Sequence, residues 1–117
     1  METIESLAEL ENLQQQPALV MFGGKQCAVC ASLKPGIGLM LAADFPRMKF
    51  GWVDCQGAAG PVCAQIGIFS LPVVQLWFGG KMHAEFAGVF SLKRLRHAIE
   101  RPYRMLFAPP ANPAPDC

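Results

Sequence analysis

A chain of 117 residues, 52% of them hydrophobic, has the length of one ordinary domain and can bury a sizeable core. Ten basic against nine acidic side chains leave a formal charge of +1, which argues against a phosphate-neutralising surface and so against nucleic acid as a partner. No uninterrupted apolar stretch reaches bilayer-spanning length, and the acidic start METIESLAEL lacks the basic-then-apolar pattern of a secretory leader, so a soluble, cytoplasmic protein with no membrane partner is the expectation.

Ile4, Leu7, Leu10 and Leu13 recur at helical spacing among acidic residues, which predicts an amphipathic first helix over residues 2–14, ended before Pro17. The short run from Ala18 to Phe22, bounded by Pro17 and Gly23, fits a strand buried on both faces. From Cys27 to about Ala43 the pattern is helical again, with Leu33, Ile37, Met40 and Leu41 as the inner stripe and Pro35 as an expected kink. Phe50, Trp52 and Val53, ahead of Asp54, predict a second central strand. Residues 55–60 read as a loop and 61–66 as a short helix. Pro72 introduces the β-prone run Val73 to Phe78. Gly79 and Gly80 turn it back into a hairpin arm over residues 82–87, with Gly88 as a bend. Ser91 is the N-cap expected for a last helix in which Leu92, Leu95 and Ile99 face inward.

The acidic residues near the start and the basic cluster from Lys93 to Arg104 read as solvated helix faces. Residues 1–100 therefore form the predicted domain, and the proline-rich stretch 101–117 a surface tail. The predicted class is α/β: a central mixed β-sheet of about four strands, flanked by helices on both faces. Such a sheet places the loop after its first central strand, and with it Cys27, at the carboxyl end where α/β proteins build their sites.

Five cysteines is an odd count, which disfavours a fully paired framework. Cys27 and Cys30 stand one helical turn apart, close enough for their sulfurs to bond. At the start of a helix the free N–H groups and the macrodipole favour a thiolate, so Cys27 is the candidate nucleophile. Cys30, one turn inside, is the candidate for the second attack. Half of a metal site and two packed thiols are the alternatives that this spacing leaves open.

Cys27-Ala28-Val29-Cys30 after a strand, Pro35 five residues beyond the second cysteine, and Phe69-Ser70-Leu71-Pro72-Val73 ahead of a β-run together resemble the thioredoxin family over residues 1–100. The resemblance implies a thioredoxin-like fold and a thiol-disulfide oxidoreductase that reduces protein disulfides in cell redox homeostasis. It implies no cofactor, and a thioredoxin reductase or another electron donor as partner. Pro72 is implied to be a cis-proline facing the dithiol and keeping metals off it, and the backbone of Leu71 to pair with an extended substrate segment. The chain also departs from the family. Met21 stands where a buried aspartate is usual, Gln26 replaces the tryptophan before the first cysteine, and Val73 replaces a threonine. A resolving step that is slow or relies on water is the consequence to expect. A partner-binding module or redox sensor with weak turnover is the other functional reading.

Cys55 and Cys63 are read as free thiols, one packed and one partly exposed, with a second, regulatory disulfide as the alternative. Cys117 is read as an exposed thiol. A zinc site of Cys27, Cys30, Cys55 and Cys63 is disfavoured, because seven residues separate the second pair where two to four are usual. His83, His97 and Lys25 are expected at the surface. Trp52, Trp77, Phe78 and Phe86 are expected in the core.

Overall fold

The computed structural model describes residues 1–107. Its elements are β1 (Glu2–Ile4), α1 (Leu7–Gln14), β2 (Ala18–Gly23), α2 (Ala28–Asp44), β3 (Lys49–Asp54), α3 (Gly60–Gln65), β4 (Val73–Phe78), β5 (Lys81–Ala87) and α4 (Leu92–Phe107). The five strands lie in the order β1-β3-β2-β4-β5, with β1 and β2 parallel to β3, and β4 antiparallel to both β2 and β5. The sheet is mixed, as the element order predicts, with one strand more than expected.

That extra strand comes from residues assigned to the first helix. Ile4 is buried and pairs with Val53, which a helical residue there does not do. Helix α1 starts instead behind Ser6, whose hydroxyl accepts the N–H of Glu9 at 3.1 Å while the Glu9 carboxylate accepts the N–H groups of Ser6 and Glu5 at 3.1 and 2.8 Å. This is a capping box, and its Ser-x-x-Glu signature stands in the sequence.

Every residue of β2 is buried, because helices cover both of its faces. Leu19 and Met21 point into one cluster with Cys30, Ile37, Leu76, Leu95 and Ile99, beneath α2 and α4. Ala18, Val20 and Phe22 point into the other, with Leu10, Leu13, Val62 and Cys63, beneath α1 and α3. Trp52, Phe78 and Phe86 pack on the first cluster and Trp77 on the second, each partly buried.

Helix α2 carries Pro35 inside it and continues to Asp44. Helix α4 continues past Arg101, where the sequence predicts a tail, and carries Pro102 inside it. The Tyr103 ring meets Phe45 edge-on at 5.1 Å and Phe107 at 4.7 Å, its hydroxyl accepts the Arg47 N–H at 3.1 Å, and the Arg47 guanidinium lies 4.3 Å over the Phe107 ring. This aromatic latch offsets the hydrogen bond that Pro102 removes. The rest of the expected tail, residues 108–117 with Cys117, lies outside the described residues.

Candidate active site

Two glycines end β2, and the chain then reaches Cys27, whose extended backbone (φ −107°, ψ 102°) makes it the N-cap of α2. An N-cap side chain accepts from the first free N–H groups of the helix, and here the Cys27 Sγ accepts the N–H of Cys30 at 3.2 Å. The Cα atoms of the two cysteines are 5.2 Å apart and their sulfurs form a disulfide. Cys27 is half-buried, whereas Cys30 is fully buried within the apolar cluster under α2. The geometry therefore presents one sulfur at the positive end of a 17-residue helix and keeps the other behind it. No acidic residue occupies the first turn to oppose that potential.

Gly23 lies directly behind the pair. A Cβ there would stand 2.7 Å from the Cys30 Sγ and 2.7 Å from the Trp52 ring, so only a glycine lets the sulfur and the indole share that space. The Gln56 side chain lies over Gly24 and accepts the Gln26 N–H at 2.7 Å, tying the loop before Cys27 to the loop after β3. Gln56 has no motif to mark it in the sequence.

Leu71 is half-buried and touches both apolar clusters; Pro72 is buried, and the peptide bond between them is cis. Because β2 and β4 are antiparallel and Phe22 pairs with Val73, the exit of β2 and the entry of β4 share one end of the sheet. Leu71 and Pro72 thus stand at the same end as Cys27. Met21, in the middle of β2, is fully buried.

Cys55 and Cys63 are not the free thiols that the sequence favours. They are joined by a second disulfide, with Cα atoms 5.6 Å apart. Spacing alone does not show this, because the turn of residues 54–60 folds α3 back onto β3: the N–H groups of Gly57 and Ala59 both donate to the Asp54 carbonyl, at 3.1 and 3.2 Å. Among the described residues no group of three or more His, Cys, Asp or Glu side chains is placed to hold a metal ion. His83, His97 and Lys25 are exposed.

Two cavities bear on the site and a third lies apart from it. One of about 240 Å³ is lined by Cys30, Lys34, Trp52 and Asp54 among others. One of about 310 Å³ lies between the second disulfide and Ile68, Phe69 and Leu71. The third, about 800 Å³, is bounded by Met1, Pro35, Met48 and Phe50 and touches neither disulfide. Cys30, Cys55 and Cys63 line the two smaller openings.

The thioredoxin family model matches residues 5–101. Among curated proteins, "Thioredoxin-like 3-2, chloroplastic" of Arabidopsis thaliana is 27% identical over 89 residues, which cover 73% of this chain; the match spans 46% of that relative, about half its length. Among solved structures, Fasciola hepatica thioredoxin superposes with a TM-score of 0.73 at 24% identity, over 86% of this chain and 98% of that one. Thioredoxin O2 of Arabidopsis thaliana in its oxidized state superposes with a TM-score of 0.74 at 25% identity, over 87% and 93%. The chain belongs to the thioredoxin family, and its Cys27–Cys30 pair is a disulfide-bonded Cys-x-x-Cys of that fold.

Proposed function

We propose that this thioredoxin-family chain is a thiol-disulfide oxidoreductase that reduces protein disulfides through Cys27 and Cys30. One observation carries the reading: the sulfur of half-buried Cys27 caps α2 and accepts the N–H of Cys30, while Cys30 is buried one turn behind it. Once the disulfide is opened, backbone N–H groups and the helix dipole favour the anionic form of that sulfur, the form that attacks.

In the reducing direction the Cys27 thiolate attacks one sulfur of a substrate disulfide, forming a Cys27–substrate bond and releasing the other substrate sulfur as a thiolate. The Cys30 thiolate then attacks the Cys27 sulfur, breaking the mixed disulfide and releasing the second substrate thiolate. The substrate gains two electrons, and the protein closes its Cys27–Cys30 bond. A thioredoxin reductase or another dithiol donor returns those electrons. Leu71, at the entry of β4, offers backbone groups to an extended substrate segment beside the sulfurs, with Pro72 shaping that edge. Cys55–Cys63 acts as an accessory disulfide. A reducing compartment suits this direction; the cytoplasm and a role in redox homeostasis are part of the same proposal, and fractionation of tagged protein tests the location.

A second reading, a partner-binding module or redox sensor with weak turnover, is favoured by the fully buried, apolar Met21 beneath the dithiol. Reduction of insulin disulfides with a continuous electron supply separates the two. Sustained turnover that is lost in Cys27→Ser, together with a trapped mixed disulfide in Cys30→Ser, supports the enzyme. Oxidation of one equivalent with no further turnover overturns it in favour of the sensor.

A further inference from the structure

Resolution of the mixed disulfide requires a proton to leave Cys30, and Cys30 is fully buried. An acceptor for that proton has a role only if the chain carries out the proposed exchange, so its identity rests on that function. The parallel register pairs Met21 with Trp52 and Gly23 with Asp54, so these four positions form a square on one face of the sheet, the face that carries Met21 and Cys30 in a single cluster. Met21 supplies no proton acceptor and Gly23 has no side chain. The Trp52 indole is covered by the Lys34 ammonium, 3.7 Å above its ring. Asp54 is the one carboxylate of the square.

The cavity of about 240 Å³ connects these groups, since Cys30, Lys34, Trp52 and Asp54 all line it, with Lys25 at its edge. At a share of about 30 Å³ per water molecule, it has room for several waters, and two ammonium groups and a carboxylate give them partners. β4 and α4, packed over the same cluster, contribute the apolar Val74, Leu76, Leu95 and Ile99 there. The Asp54 carboxylate is fixed at the rim: its Oδ1 accepts the N–H of Gln56 at 3.1 Å, and its other oxygen lies over Gly57, where no Cβ intervenes.

We infer that Asp54 takes the Cys30 proton through water in this cavity, with Lys34 holding that water beside the sulfur. In the step, the Cys30 S–H proton passes by way of water to the Asp54 carboxylate as the Cys30 sulfur bonds to Cys27. The Cys27–substrate bond breaks, and the departing thiolate is protonated by Asp54 through the same water. The carboxylate is regenerated and no oxidant beyond the substrate disulfide is needed.

The test uses the full chain, reduced and then mixed with an aromatic disulfide that releases a coloured thiol. Attack by Cys27 gives a first burst of colour, and resolution by Cys30 gives a second. Asp54→Asn keeps an acceptor for the Gln56 N–H and removes the acid, and Asp54→Ser is a second residue able to hold that turn. Both are expected to leave the first phase unchanged and to slow the second about tenfold or more near neutral pH. The deficit should shrink as pH rises into the alkaline range, where hydroxide removes the thiol proton without help from the carboxylate. Asp54→Glu is expected to keep the wild-type pH profile. A second phase in Asp54→Asn and Asp54→Ser that matches wild type at every pH, or is slowed equally at every pH, overturns the inference. A wild-type protein with no second phase overturns the exchange reading itself, a result distinct from either.

Discussion

The two disulfides of this chain are alike in span and different in setting. Their Cα separations are 5.2 and 5.6 Å, yet Cys27 caps a 17-residue helix whereas Cys63 sits inside the six-residue α3. A sulfur at an N-cap meets unpaired N–H groups; one in the body of a helix does not. Cys63 is 2% exposed among Phe22, Val53 and Val62, surroundings that disfavour a thiolate. Position along a helix, more than the existence of a bond, separates the setting of Cys27 from that of Cys63.

The sharpest way to break this comparison is to remove one sulfur from each pair. Cys27→Ser is expected to reduce insulin turnover to background, while Cys63→Ser keeps it within about twofold, because serine at position 27 is not a thiolate nucleophile. Equal losses in the two variants would erase the distinction. The reverse ranking is expected in stability. Closing the loop from Cys55 to Cys63 restricts the unfolded chain, so Cys63→Ser should cost roughly 2–3 kcal/mol in urea unfolding without reductant. Gly23→Ala bears on the first pair alone. The new methyl group must displace Cys30 or Trp52, and overpacking of this kind costs about 1–3 kcal/mol, read as a lower urea midpoint together with slower resolution of the mixed disulfide.

The smallest expected effect lies far from both pairs and serves as the reference. Ser6→Ala should cost about 1 kcal/mol by removing the cap of α1. Its partner Glu9 has a carboxyl held below the usual value of 4.5, chiefly by the Glu5 N–H and then by Ser6. A depressed carboxyl contributes stability above its unfolded pKa and loses it as pH falls through the folded one. The part of the capping box made by the Glu9 carboxylate should therefore be present at neutral pH and fade below about pH 4.5, as paired unfolding curves at the two pH values would show.

Local patterns carry much of this architecture. The Cys-x-x-Cys spacing behind an apolar run and two glycines locates α2 and its leading sulfur, because an N-cap and the first turn are made by residues next to one another. The burial of β2 on both faces is equally plain from five consecutive apolar residues. The Ser-x-x-Glu cap is also legible, but the helical spacing of Ile4, Leu7, Leu10 and Leu13 outweighs it and hides β1; Ile4 becomes a strand residue only because β3 offers it an edge. The proline-rich stretch from residue 101 reads as a tail for the same reason: the local cost of Pro102 is visible in sequence, while Phe45 and Arg47, which hold Tyr103 beside it, lie more than fifty residues away in the turn between α2 and β3.

By itself the sequence determined the α/β class, the order of the main elements and the Cys27–Cys30 pair at the start of α2, since each depends on periodicity and capping within a few residues. Only the tertiary structure decided that Cys55 meets Cys63 and that Asp54 shares a cavity with Cys30. Those meetings depend on strand register and on a turn that folds one segment over another, and register is fixed by the whole sheet finding a common core.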